Sequence, residues 1–362
     1  MSGENRALLL EALRDPAILG ELDLKQWETL IREARRNNLL PRLAFDADAL
    51  HLESRIPEQP REHLKAARAQ AIAHAVAVKR EVRFIDRALS TLGVPVVLLK
   101  GAAYLMGDLA AARGRLFSDV DILVPRSALA EVESALMLNG WTSLKTTPYD
   151  QRYYREWMHE LPPLRHHTRQ TVLDVHHAIL PTTARLRPDS AKLLAASRPI
   201  PGEARLRVLA PVDMVLHSAT HLFCNEDVGN SLRDLVDQDS LLRGFAGEEG
   251  FWATLAGRAT ELGLARPLFY GLRYARVVLA TPVPASVLRA AERGRPPSLS
   301  LRLMDAAFLR MLRPGQLGQG SGAASLARGS LYLRAHWLRM PPLLLAYHLI
   351  TKALRQEQAA VR

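Results

Sequence analysis

The sequence holds one cysteine, Cys224, among 362 residues. A lone thiol leaves no intrachain disulfide and no cysteine-based zinc site, so a reducing cytoplasm is the expected setting. No stretch reaches the ~18–20 apolar residues of a membrane-spanning helix. The longest candidate, 340–350, is short and carries His348 and two prolines. The opening Met1-Ser2-Gly3-Glu4-Asn5-Arg6 lacks the basic start, apolar stretch and small-residue cleavage site of a secretory leader. Aromatic residues are few, at 6%, and no internal repeat is visible. What is present, 48% hydrophobic and 23% charged residues, is an ordinary globular composition. It excludes collagen-like, disulfide-rich and wholly disordered chains.

The net charge of +11 is unevenly spread. From Arg293 to Arg362, 11 Lys/Arg face only Asp305 and Glu357, which puts +9 in the tail and +2 in everything before it. A uniformly basic nucleic-acid binder would not look like this, and no sequence-specific nucleic-acid partner is expected. The tail mixes Tyr332, Trp337 and residues 343–345 with Arg334 and Arg339. That mixture suits an acidic partner or a membrane surface. It equally suits a last helix, 331–354, folded back on the domain with its arginines solvated.

Periodicity divides the chain into four segments. Residues 1–92 read as helices: 7–13, then 24–36 with an apolar stripe at Leu24, Trp27, Leu30, Ile31 and Ala34. A long helix over 61–92 follows, with Ala75, Val78, Val82, Ile85, Leu89 and Leu92 spaced three and four apart. Residues 93–180 change character. Short β-branched or alternating runs at 94–99, 116–124, 141–146 and 170–179 read as strands, with alanine-rich 100–112 and 127–139 as helices between them. Residues 181–290 return to helical periodicity at 212–223, 232–242, 251–262 and 264–279. The basic tail, 291–362, contains a Gly/Gln/Ser-rich linker over 313–325. The expected fold class is α+β, a small mixed-sheet core flanked by helical regions.

The chemistry concentrates in Ser118-Asp119-Val120-Asp121-Ile122-Leu123-Val124. Alternate strand residues share a face, so Asp119 and Asp121 project together about 7 Å apart while Val120, Ile122 and Val124 face a core. A lone Asp-x-Asp is common, and a polar strand end is its bland reading. Three features change that weighting. Asp174 and His176 alternate with Leu173 and Val175 on a later strand. Lys100-Gly101 lies where a buried strand turns into a helix, a place where backbone N–H groups and an ammonium meet phosphate. Arg115 precedes Asp119 by four residues. Three carboxylates converging to ~4 Å would repel by roughly 4 kcal/mol per pair at an effective dielectric near 20. A hard divalent cation such as Mg²⁺ is the economical remedy.

This order of strand, Lys-Gly, helix, Arg, Asp-x-Asp and a later strand Asp resembles the nucleotidyltransferase superfamily of DNA polymerase β-like fold. The segments GVPVVLLKGAAYL, GRLFSDVDILV, LDVHHAI and LRDLVDQDSLL are similar to those of a bacterial group of uncharacterised nucleotidyltransferases, over roughly 24–270. The resemblance implies a metal-dependent enzyme that transfers a nucleoside monophosphate from a nucleoside triphosphate to an acceptor hydroxyl. Asp119, Asp121 and Asp174 would hold Mg²⁺ or Mn²⁺, with Asp174 helping to activate the acceptor. Lys100, Gly101 and Arg115 would bind the triphosphate. The acceptor stays open: a small molecule, a peptide or a protein. Gly101-Ala102 stands where the superfamily commonly has Gly-Ser, which removes a hydroxyl that would touch phosphate. That departure fits the alternative, a weak or inactive nucleotidyltransferase-fold binding or accessory protein.

Weaker candidates have bland readings. His217 and His221 have the helical spacing of a zinc protease without its Glu, which favours helix packing or a supporting role beside a pocket. Asp234 and Asp237 beside Arg233 read as helix ion pairs, and Cys224 as an inert small residue.

Overall fold

The computed structural model describes residues 7–225, 229–314 and 322–345. The chain opens with α1 (Leu8–Arg14), α2 (Leu24–Arg36), α3 (Leu40–Ala49) and the 31-residue α4 (Glu58–Ala88). Helix α2 starts at a capping box, in which Asp23 accepts from the Gln26 N–H while the Gln26 side chain accepts from the Asp23 N–H. Of its expected stripe, Trp27, Leu30, Ile31 and Ala34 are buried, while Leu24, in the first turn, is exposed.

Strand β1 (Val96–Leu98) runs directly into α5 (Lys100–Met106), and β2 (Asp119–Leu123) is followed by α6 (Leu129–Leu138) and β3 (Trp141–Ser143). Helix α5 is shorter than the alanine run suggests. Asp108 takes a left-handed conformation, φ 52°, and the Leu109 N–H returns to Tyr104 O, which closes the helix beyond Gly107. Next come α7 (Pro148–Arg152), which continues into a π-helical turn at Tyr153–Trp157, then β4 (Leu164–His166) and β5 (Val172–His176). After α8 (Ser190–Ala196), the short strands β6 (Arg198–Pro199) and β7 (Leu206–Val208) return to the sheet.

The seven strands lie in the order β3-β4-β5-β2-β1-β7-β6. The β2–β5 and β1–β7 pairs are parallel; β1–β2, β3–β4, β4–β5 and β6–β7 are antiparallel. An α+β architecture with helical flanks is therefore what the chain adopts. β4, β6 and β7, each of two or three residues, carry too little alternation to register as strands in the sequence.

Helices α9 (Pro211–Cys224), α10 (Ser231–Phe245), α11 (Phe251–Glu261), α12 (Ala265–Leu279) and α13 (Ala285–Ala291) complete the helical layer. In the tail, α14 (Ser298–Met311) is tied to α12 by Asp305, which accepts from Arg273 and from Tyr274. Helix α15 (Gly322–Arg339) packs on the same layer: Arg334 donates to Phe223 O at 2.6 Å, and Leu338 O accepts from the Arg185 N–H. The helix ends ahead of Pro341-Pro342, where the missing N–H groups stop it. The described part of the tail is thus folded back on the body. Residues 346–354 of the expected last helix, and 315–321 of the expected linker, lie outside the described residues. One continuous core runs from Leu9 to Leu331 through both the helices and the sheet. Among the described residues, no helix is long and apolar enough to cross a membrane.

Candidate active site

Register builds the site. In the parallel β2–β5 pair, Asp121 lies directly opposite Asp174, Asp119 opposite Val172, and Leu123 opposite His176. Because adjacent strands are about 5 Å apart and alternate residues share a face, Asp119, Asp121, Asp174 and His176 project together. Val120, Ile122, Leu173 and Val175 go into the core behind them. On the other side of β2, the Leu99 N–H donates to Asp121 O, so the chain leaving β1 passes beside the carboxylates. Lys100 takes a left-handed conformation at this turn, φ 45°. For a residue with a Cβ this is a strained backbone, of the kind retained at functional sites.

The strained turn brings Lys100 Nζ to 2.6 Å from Asp121 Oδ1, and His176 Nε2 donates to the same oxygen at 3.0 Å. His176 Nδ1 lies 3.2 Å from Glu160 Oε2, too far off line for a hydrogen bond. Asp119, nearer the surface, accepts from Ser118 Oγ at 2.8 Å. Burial opposes ionisation of Asp121, but the Lys100 and His176 cations outweigh it and hold this carboxyl far below the usual range. Asp174 has no such donor. Burial, with Asp121 and Glu160 facing it, pushes its carboxyl up to about 7. Burial disfavours the His176 imidazolium, yet the bond to Asp121 and the charge of Glu160 carry its pKa upward.

These groups floor a cleft of about 360 Å³, within the range of small-ligand sites. Its walls bring Tyr153 and Tyr154 from the π-helical turn, His159 and Glu160 from the segment just beyond it, His221, Arg233, Asp234 and Asp237 from α9 and α10, and Arg339 from the end of α15. All six residues expected at the site, Lys100, Gly101, Arg115, Asp119, Asp121 and Asp174, line it. Arg115 is bound differently from what the sequence suggests. It pairs with Asp237 at 2.9 Å and lies over the rings of Tyr104 and Phe117. It also covers Gly101, where a Cβ would collide with the guanidinium. Asp237 and Asp234 are ion-pair residues, the latter with Arg233 at 2.7 Å. His221 stands 3.7 Å from Asp234, and its partner His217 is buried inside α9. Burial holds both histidines neutral.

Glu160, His159 and the two tyrosines escaped the sequence reading. Glu160 is joined to His176 by an isolated bridge, which leaves no periodic signal around it. The donor set fits a cation. Asp174 Oδ1 is buried without a hydrogen-bond partner, among the like charges of Asp121 and Glu160. An orphaned carboxylate oxygen among other carboxylates matches the oxygen-rich sites of Mg²⁺ or Mn²⁺. His159, Glu160 and His176 form a second possible set, their ligand atoms all within 4.8 Å of one another, with the mixed N/O character that transition metals favour.

A family model described as an uncharacterised nucleotidyltransferase matches residues 23–280, the span that contains the whole sheet and every cleft residue except Arg339. No curated protein and no solved structure matches. With the greater part of its length inside that match, the chain belongs to the uncharacterised nucleotidyltransferase family.

Proposed function

We propose that this protein transfers a nucleoside monophosphate from a nucleoside triphosphate to an acceptor hydroxyl, with a divalent cation, in the cytoplasm. The observation that carries this reading is the opposition of Asp121 and Asp174 in the β2–β5 register, with Asp119 on the same face. Asp119, Asp121 and Asp174 would hold Mg²⁺ or Mn²⁺. When bound there, the cation would offset the charge on the donor phosphates as the displacement proceeds.

The residues divide the remaining work by their environment. In the displacement, an acceptor oxygen forms a bond to the α-phosphorus, the bond to the bridging oxygen breaks, and pyrophosphate leaves. The acceptor proton goes to Asp174, the carboxylate with a buried oxygen that no protein donor occupies. Lys100 supplies the cation next to the triphosphate, and His176 fixes the orientation of Asp121. Arg115, held by Asp237, keeps α10 against Gly101 and adds positive potential to the wall.

Two features favour a second reading, a binding or accessory protein on this scaffold. The Lys100 ammonium already neutralises Asp121 without any metal, and Ala102 replaces a phosphate-contacting hydroxyl. Thermal stabilisation separates the two. An enzyme site is stabilised by Mg-ATP or Mg-CTP in the wild-type protein and not in Asp119→Asn; no stabilisation by any Mg-nucleoside triphosphate would favour the scaffold.

A further inference from the structure

We propose that the Tyr153–Tyr154 wall of the cleft is the nucleobase platform, stacking the base of the nucleoside triphosphate with little preference among the four bases. The proposal rests on the nucleotide-binding reading above and deepens it.

The chain is poor in aromatic residues, yet four of them fall within nine positions here: Tyr149, Tyr153, Tyr154 and Trp157. They are packed on one another. Tyr153 stacks at 22° on Tyr149, meets Tyr154 edge-on at 5.3 Å, and meets Trp157 edge-on at 5.9 Å. All four are half-buried. This cluster therefore lies apart from the core aromatics Trp27, Trp141, Tyr270 and Tyr274, which are fully buried. Two of its rings, Tyr153 and Tyr154, line the same cleft as the carboxylates.

Local geometry supports a binding role over a packing one. Tyr153, Tyr154 and Trp157 are carried on a π-helical turn, a feature frequent at functional sites. Rings locked edge-to-face lose little freedom when a third ring stacks on them, which makes a preorganised platform. Tyr154 lines the cleft together with Glu160 and Asp174, so its ring shares the cavity with the carboxylate face. A triphosphate at that face carries its base away through the ribose, along the wall that continues to Tyr153.

Among the described residues lining the cleft, the side-chain amides are Asn225 and Asn230, at the facing ends of α9 and α10, while Glu160 and His159 face the carboxylate end. Recognition at the tyrosine wall is then by stacking, which every base offers, and not by the hydrogen-bond edge that separates one base from another.

Calorimetric titration of the full chain with Mg-bound tripolyphosphate and with each Mg-bound nucleoside triphosphate tests this. The expected result is that all four nucleotides bind roughly tenfold or more tightly than tripolyphosphate. Tyr153→Ala or Tyr154→Ala should erase that advantage while tripolyphosphate affinity is retained, which also shows that the cleft is intact. Tyr153→Phe and Tyr154→Phe should keep it. Equal affinity for tripolyphosphate and nucleotides in the wild-type protein, or an advantage unchanged in both alanine variants, overturns the platform while leaving the phosphate site standing. Failure of both ligand types to bind overturns the nucleotide-binding reading itself, and the platform with it.

Discussion

Asp121 and Asp174 face each other across a single step of parallel register and ionise in opposite senses. Asp121 receives Lys100 and His176 on one oxygen, while an Asp174 oxygen is buried with no donor. A carboxylate held charged by two donors, beside one whose buried oxygen has none and which takes up a proton more readily, distinguishes a ligand anchor from a proton acceptor within one strand pair.

Asp119→Asn is the clean probe of the proposed metal site. Asp119 is only partly buried, and its hydrogen bond to Ser118 survives in an amide. Transfer should be lost with a melting temperature close to wild type. Asp121→Asn should also abolish transfer, but at a cost. It leaves the Lys100 ammonium without its carboxylate, and breaking a buried pair costs about 3–5 kcal/mol. Full activity in either purified variant removes the carboxylate face from the mechanism.

Asp174 should make stability depend on pH in the chelator-treated protein. Its folded pKa of about 7 lies above the ordinary value of 3.8. Between these limits the folded chain keeps a proton that the unfolded chain has lost. The contribution is therefore complete below the unfolded value and is lost as pH rises through 7. Asp174→Asn lacks this loss, so its melting temperature should gain on wild type between pH 4 and 7 and then hold a constant difference. A parallel pair of melting curves across that range would contradict the assignment. In catalysis, the same variant should lower kcat more than it raises KM.

Lys100→Ala should raise the Kd for a triphosphate and lower the melting temperature together, because Asp121 keeps only His176 as a donor. Lys100→Gly at the same position relieves the left-handed backbone. It should therefore be more stable than Lys100→Ala while binding triphosphate no better. Wild-type affinity in both variants would exclude Lys100 from the phosphate site.

Truncation before Arg293 should produce aggregation or a fall in melting temperature of roughly 10 °C or more. It uncovers the faces on which Phe308, Met311 and Leu331 are buried, and removes Asp305 and Arg334 from their partners. A soluble product with an unchanged melting temperature would make the described tail an appendage.

The sheet's inner strands were legible because alternation is a local signal, and counting alone puts Asp119 with Asp121 and Asp174 with His176; that the two pairs share one face is set by the β2–β5 register. The rest depends on long-range pairing. Arg115 lines the same cleft as Asp119, but its ion-pair partner, Asp237, is 122 residues away. Glu160 reaches His176 through one isolated bridge in a stretch without period. Strand β7 finds its place beside β1 across more than a hundred residues. Whether the tail packs on the body is a long-range matter on which composition is silent; the Arg334 and Asp305 contacts place its described part against the body.

Transfer of the α-phosphoryl group is read from the position of a radiolabel. The protein is incubated with cell extract, Mg²⁺ or Mn²⁺, and nucleoside triphosphates labelled at either the α- or the γ-phosphorus. The α-label is expected to enter an acceptor while γ-label is released as pyrophosphate, with both signals absent in Asp119→Asn. Label entering the acceptor from the γ-position, or α-label incorporation that persists in Asp119→Asn, would contradict it.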